Sequence, residues 1–128
     1  MHKEKRNMMQ QRNAQNVYKQ NQILNASPKK LVVLLYDGCI KNMKLAELSI
    51  AEKKMDQANT ALIKAQDIIA ELASTLNFDQ GGQIAQDLSD IYEYLMTKLI
   101  EANRTKDISI IQKNREMMEE LRDAWAEI

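Results

Sequence analysis

Few residues in this chain could do chemistry, and their spacing excludes most reactions. The only histidine, His2, lies near the start of the sequence. A histidine phosphotransfer bundle needs a histidine in mid-helix, and a ferritin-like di-iron site needs Glu-x-x-His on two helices, so both are excluded. No glycine-rich phosphate loop, Cys/His metal cluster or Ser/His/Asp set is present. The densest acidic group, Glu116, Glu119, Glu120 and Asp123, has the spacing of a solvated helix face, and we read it so rather than as a catalytic or metal site. Cys39 is alone, so no intramolecular disulfide can form. It falls on an apolar helix face, where a small core residue is expected and not a nucleophile. The expectation is a protein that is not an enzyme and has neither cofactor nor metal.

The elements that carry these residues read as helix throughout. In "SPKKLVVLLYDGC", Ser27 to Cys39, Ser27 can accept a backbone N–H as N-cap. Pro28 at the first helical position gives up a hydrogen bond that a helix start never makes. The helix opened there meets no breaker before about Lys53. Asp56 is the next plausible cap, for a helix of about 57–77 whose stripe is Ala58, Ala61, Leu62, Ala65, Ile68, Ile69, Leu72 and Leu76. The turn "NFDQGG" precedes a third helix, about 82–104, with Ile84, Leu88, Ile91, Leu95, Leu99 and Ala102 on one face. Asp107 can cap a fourth, about 108–127, with Ile110, Ile111, Met117, Met118, Leu121 and Trp125. Nothing alternates with period two, so no sheet is expected. Four such helices joined by short loops predict an all-α, antiparallel up-down four-helix bundle over 23–128. Residues 1–22, polar and basic, read as a mobile arm.

Composition agrees. The 128 residues suit one domain, which at this size buries roughly 60 to 70% of its unfolded surface. The 18 basic and 18 acidic residues cancel, which argues against nucleic acid or a membrane surface as a broad electrostatic partner. The charge is uneven, however. Lys3, Lys5, Arg6, Arg12 and Lys19 make the first 28 residues basic, while Glu116, Glu119, Glu120, Asp123 and Glu127 make the last stretch acidic. The basic arm reads as a solvated tail or as a contact for an acidic partner or phosphate. Residues 1–22 contain no apolar core for a signal peptide, and the longest apolar run is far short of the ~20 residues that span a bilayer. A cytosolic protein without membrane insertion is expected.

Two helices carry more apolar surface than one stripe. On the first, Leu31, Leu34 and Leu45 fall to one side of the core face with Gly38 between them. On the third, Tyr92, Met96 and Ile100, at i, i+4 and i+8, form a second ribbon, and Ile63 sits nearly opposite the core face of the second helix. These flanks either fill a wide core or form an exposed groove for an apolar helix of a partner. Gly38 costs a helix interior about 1 kcal/mol relative to Ala, which suits close approach of a partner or tight packing inside the bundle. Tyr18, Ile23 and Leu24 precede the first helix, as a displaceable lid on the groove or as a hydrophobic staple for the Ser27 cap.

The stretch "YKQNQILNASPKKLVVLLYDGCI" resembles the flagellin-specific export chaperone family FliS. The family pattern sets a Tyr ten residues before a Pro and a β-branched residue five before it. It continues with Ala-Ser/Thr-Pro, a Leu three residues after the Pro, and Leu-Tyr-Asp/Asn-Gly. Here these are Tyr18, Ile23, Ala26, Ser27, Pro28, Leu31, Leu35, Tyr36, Asp37 and Gly38. The likeness continues in "KAQDIIAELASTLN", "IYEYLMTKLIEAN" and "LRDAW", and Asn25 stands where the family usually has Thr. The resemblance implies a four-helix bundle in the cytosol that binds the disordered C-terminal segment of flagellin, expected 1:1. It implies too that the segment is kept from polymerising early and delivered to components of the flagellar type III export apparatus. The partner-binding residues expected are Leu31, Leu34, Gly38, Leu45, Ile63, Tyr92, Met96 and Ile100. The alternative is a self-associating helical structural or adaptor protein that forms homodimers through the same surfaces.

Overall fold

The computed structural model describes residues 28–128, so Ser27 and the expected lid residues Tyr18, Ile23 and Leu24 lie outside the described residues. Four helices follow one another there: α1 Pro28–Ala51, α2 Met55–Ser74, α3 Phe78–Thr105 and α4 Ile108–Glu127. No strand occurs among the described residues. Val32–Ile128 forms one compact unit, and residues up to Leu31 belong to another, of which the first turn of α1 is described.

The helix ends correct four of the expected boundaries, among them the end of α2, which falls at Ser74 and not 77. The first helix stops at Ala51, not Lys53. There the Lys54 N–H donates to the Ser49 carbonyl at 2.7 Å and the Lys53 N–H to the Ile50 carbonyl at 3.0 Å, while Lys53 turns left-handed at φ 61. This is a Schellman termination with lysine in the place usually taken by glycine. The second helix starts at Met55 with Lys54 at the cap position and no side-chain cap. Asp56, expected to be the cap, lies instead in the first turn, where its charge suits the positive end of the helix. The third helix begins at Phe78 rather than 82, because Asn77 accepts the Gln80 N–H at 3.1 Å. The "NFDQGG" turn is thus a capped helical turn followed by a kink at Gly82, φ 52 and ψ −123, a region open to glycine alone. Asp107 caps α4 as expected, accepting the Ser109 N–H at 2.9 Å.

Cross-helix contacts set the direction of the helices. On α1, Cys39 donates its S–H to the Ala65 carbonyl of α2 at 3.6 Å. Further along α1, Leu45 lies beside Thr60 and Gln57, earlier in α2, so these two helices run antiparallel. The Asn103 amide on α3 donates to Asn59 on α2 at 2.8 Å, and the buried Asn114 amide on α4 donates to the Leu95 carbonyl of α3 at 3.1 Å. Glu47 and Asp37 of α1 meet Arg115 and Arg122 of α4 in reverse order, at 2.7 and 3.4 Å. The result is the expected up-down bundle. Its core is led by Tyr36, Met43, Leu62, Ile69, Leu95 and Leu99. Ile84, assigned to the core stripe from sequence, is 72% exposed, and Ala85 is buried instead. Ile84 stands in the first turn after the kink at Gly82, at the very end of the stripe.

Candidate partner-binding seams

Two buried phenols anchor the region beneath the surface residues. The Tyr36 hydroxyl of α1 meets the Tyr92 hydroxyl of α3 at 2.5 Å across the bundle. Trp125 of α4 packs against the same core. Burial, and then the bond to Tyr92, push the Tyr36 phenol well above its ordinary value; burial pushes Tyr92 up as well. Both therefore stay neutral and act as hydrogen-bonding struts. Cys39 is fully buried, and burial pushes its thiol up to about 12. Among the described residues no buried side-chain nitrogen or oxygen lacks a partner, and no group of three or more acidic, His or Cys side chains is placed to hold a metal.

Tyr92 is the one expected contact residue that the structure removes from the surface. It is 2% exposed, because its position lies at the inner edge of the ribbon and its hydroxyl is drawn to Tyr36. Met96 is half-buried against the core, one turn on, and Ile100 emerges at 54% exposure. Ile63 is 44% and Leu45 46% exposed. Leu34 and Gly38 are half-buried, and Leu31, in the first turn of α1, is half-buried too.

The remaining residues fall into two seams rather than one groove. The first lies between α1 and α2. Leu45, with Asn42, Gln57, Thr60, Ala61 and Lys64, lines an open depression of about 300 Å³. Leu34 and Gly38 precede Leu45 on the same side of α1, and a Cβ on Gly38 would stand 3.4 Å from the Ile68 Cδ1 of α2. That is ordinary van der Waals contact, so packing inside the bundle does not itself demand glycine there. The second seam lies between α2 and α3. From the Asn59–Asn103 hydrogen bond, one turn along α2 reaches Ile63 and one turn back along α3 reaches Ile100, with Met96 a turn further. Helix α2 stands between the seams, turning Thr60, Lys64 and Asp67 outward. Sequence analysis missed the exposed Leu48, Met55 and Phe78, which sit at or near helix ends, where periodicity alone does not tell core from rim.

The class these features define is an all-α four-helix bundle with apolar seams on its surface. Residues 9–128 match the family described as "Flagellar protein FliS", and the chain belongs to that family. It is 34% identical over 113 residues to the flagellar secretion chaperone FliS of Bacillus subtilis, covering 88% of this chain and 84% of that one. To the protein of the same name in Campylobacter jejuni it is 31% identical over 120 residues, 94% of each chain. To that of Salmonella typhimurium it is 31% identical over 107 residues, 83% of this chain and 79% of that one. No helix among the described residues is long and apolar enough to cross a membrane.

Proposed function

We propose that this chain is a cytosolic flagellar export chaperone that binds the disordered C-terminal segment of flagellin 1:1 in the two seams flanking α2. It thereby keeps the segment from polymerising early and supports its delivery to the type III export apparatus. The observation that carries the reading is the pair of seams itself, with Leu34 and Leu45 on one side of α2 and Ile63, Met96 and Ile100 on the other. An unassembled amphipathic segment gains from such a surface because folding onto it buries its apolar face. Each Leu or Ile newly covered contributes roughly 1.5 to 3 kcal/mol before ordering costs, so a few suffice. Relatives named as flagellar secretion chaperones support the assignment.

Titration calorimetry with a flagellin C-terminal peptide tests it. Ile100→Asp, at an exposed position, should leave the melting temperature within a few degrees of wild type and weaken peptide binding at least about tenfold. Normal binding by a folded Ile100→Asp and a folded Leu34→Asp would remove both seams from the site. Sedimentation of the mixture should show one chain per peptide; a dimer indifferent to the peptide would favour self-association through these surfaces instead.

A further inference from the structure

A third apolar seam, between α3 and α4, is not used by the proposed flagellin site. Ile84 and Tyr94 of α3 are 72% and 51% exposed, and they share a side of the helix with the half-buried Ile91. The Asn114 to Leu95 hydrogen bond sets α4 antiparallel alongside, which brings Met117 level with Ile91 and Leu121 level with Leu88. Both Met117 and Leu121 pack on the core with an edge in solvent. This seam lies on the far side of α3 from Met96 and Ile100.

Its rims are acidic. Asp87 and Asp90 border it on α3, and the exposed Glu116, Glu120 and Glu127 border it on α4. Arg122 of α4 turns towards α1, meeting Asp37 at 3.4 Å, while Lys98, its ammonium 5.9 Å from the Tyr94 ring centroid, and Lys113 bound the seam at its Tyr94 end only. The stretch "KEKRNMMQQR", residues 3–12, has the complementary composition: Lys3, Lys5, Arg6 and Arg12 against Glu4, around Met8 and Met9. Adaptable thioethers flanked by cations match an apolar seam flanked by carboxylates.

We propose that residues 3–12 of a second copy of this chain dock on the α3–α4 seam, each copy giving its basic stretch to the other. Charge-swapped full-length chains test the exchange by sedimentation equilibrium. One variant carries Lys3→Glu, Lys5→Glu and Arg6→Glu; the other carries Glu116→Lys, Glu120→Lys and Glu127→Lys, three exposed positions of α4 away from the flagellin seams. Wild type should dimerise, with association weakening about tenfold between low and moderate salt as the charges are screened. Each variant alone should be monomeric, because its stretch and rim then share one sign. An equal mixture should dimerise again, since both exchanged contacts are opposite in sign once more. Monomeric wild type, a dimer that neither variant weakens, or a mixture that stays monomeric would overturn the proposal. Should a triple variant fail to fold, Lys5→Glu and Glu120→Lys give the same comparison at smaller amplitude. Peptide affinity should be unchanged in the rim variant, so this proposal and the flagellin reading fail separately.

Discussion

At the scale of single residues, the thiol of Cys39 shows how burial silences a reactive group. Surrounded by core, with Ala65 as its one hydrogen-bond partner, it is held up to about 12 against an ordinary 9.0. The folded state therefore prefers the neutral thiol. That preference stabilises the protein fully below pH 9 and is lost as pH rises towards 12. Melting temperatures measured across that alkaline range should fall more steeply for wild type than for Cys39→Ala, and equal slopes would show that the thiol is not protected. The apolar neighbours of Cys39 made its burial legible in the sequence. The fate of Tyr92 was not, because a ribbon at i, i+4 and i+8 does not reveal that its first member meets a phenol 56 residues away.

At the scale of helices, the two left-handed lysines differ in what they gain. Lys106 at the end of α3, φ 54, folds its ammonium back onto the Asn103 carbonyl and side chain, which suits the negative end of a helix. Lys53 ends α1 at φ 61, and the ion pair nearby, Lys54 with Glu52 at 3.2 Å, is exposed and of little weight. Lys53→Gly should accordingly raise unfolding stability by about 1 kcal/mol in denaturant titration, and more than Lys106→Gly does. Gly82→Ala should cost about 1 to 3 kcal/mol, since no L side chain is at ease at its backbone angles. Pro28 and Asp107 announced their helix starts in the sequence because proline and aspartate have strong positional preferences there. Lys53 gave no such sign. A Schellman end built without glycine looks like any other stretch of polar helix, so the first boundary was placed two residues late.

For the whole molecule, the fold class was legible from four apolar stripes and three short connections, but the arrangement of the site was not. Helical periodicity assigns each side chain to a face of its own helix without saying which helix is next to it. Only the order of neighbours places Leu45 and Ile63 on opposite flanks of α2. That order depends in part on a clamp between α1 and α4, where Arg115 donates from Nε and Nη2 to Glu47 at 2.7 and 3.2 Å and from Nη1 to Glu119 at 2.8 Å. The Arg115 side chain is 21% exposed and that of Glu47 13%, so water screens the pair only in part. Arg115→Ala should cost about 1 kcal/mol or somewhat more, and Arg115→Lys should recover little of it, because an ammonium cannot make the two-pronged contact. Chemical denaturation of both variants checks this; full recovery by lysine would mean that charge alone matters.

The contacts of α1 also bear on how the chain finds its fold. They join Tyr36 to Tyr92, Glu47 to Arg115 and Asp37 to Arg122, across 56, 68 and 85 residues, whereas α3 and α4 meet through Asn114 and Leu95 across 19. Closure is cheaper for neighbours in sequence, including α1 on α2 through Cys39 and Ala65 across 26 residues, than for α1 on α3 and α4, so the contacts that join the first helix to the last two are the last to form. Until they form, the Tyr36–Tyr92 bond and the Arg115 clamp are both unmade, and the bundle stands open along the side where its two ends of chain must meet.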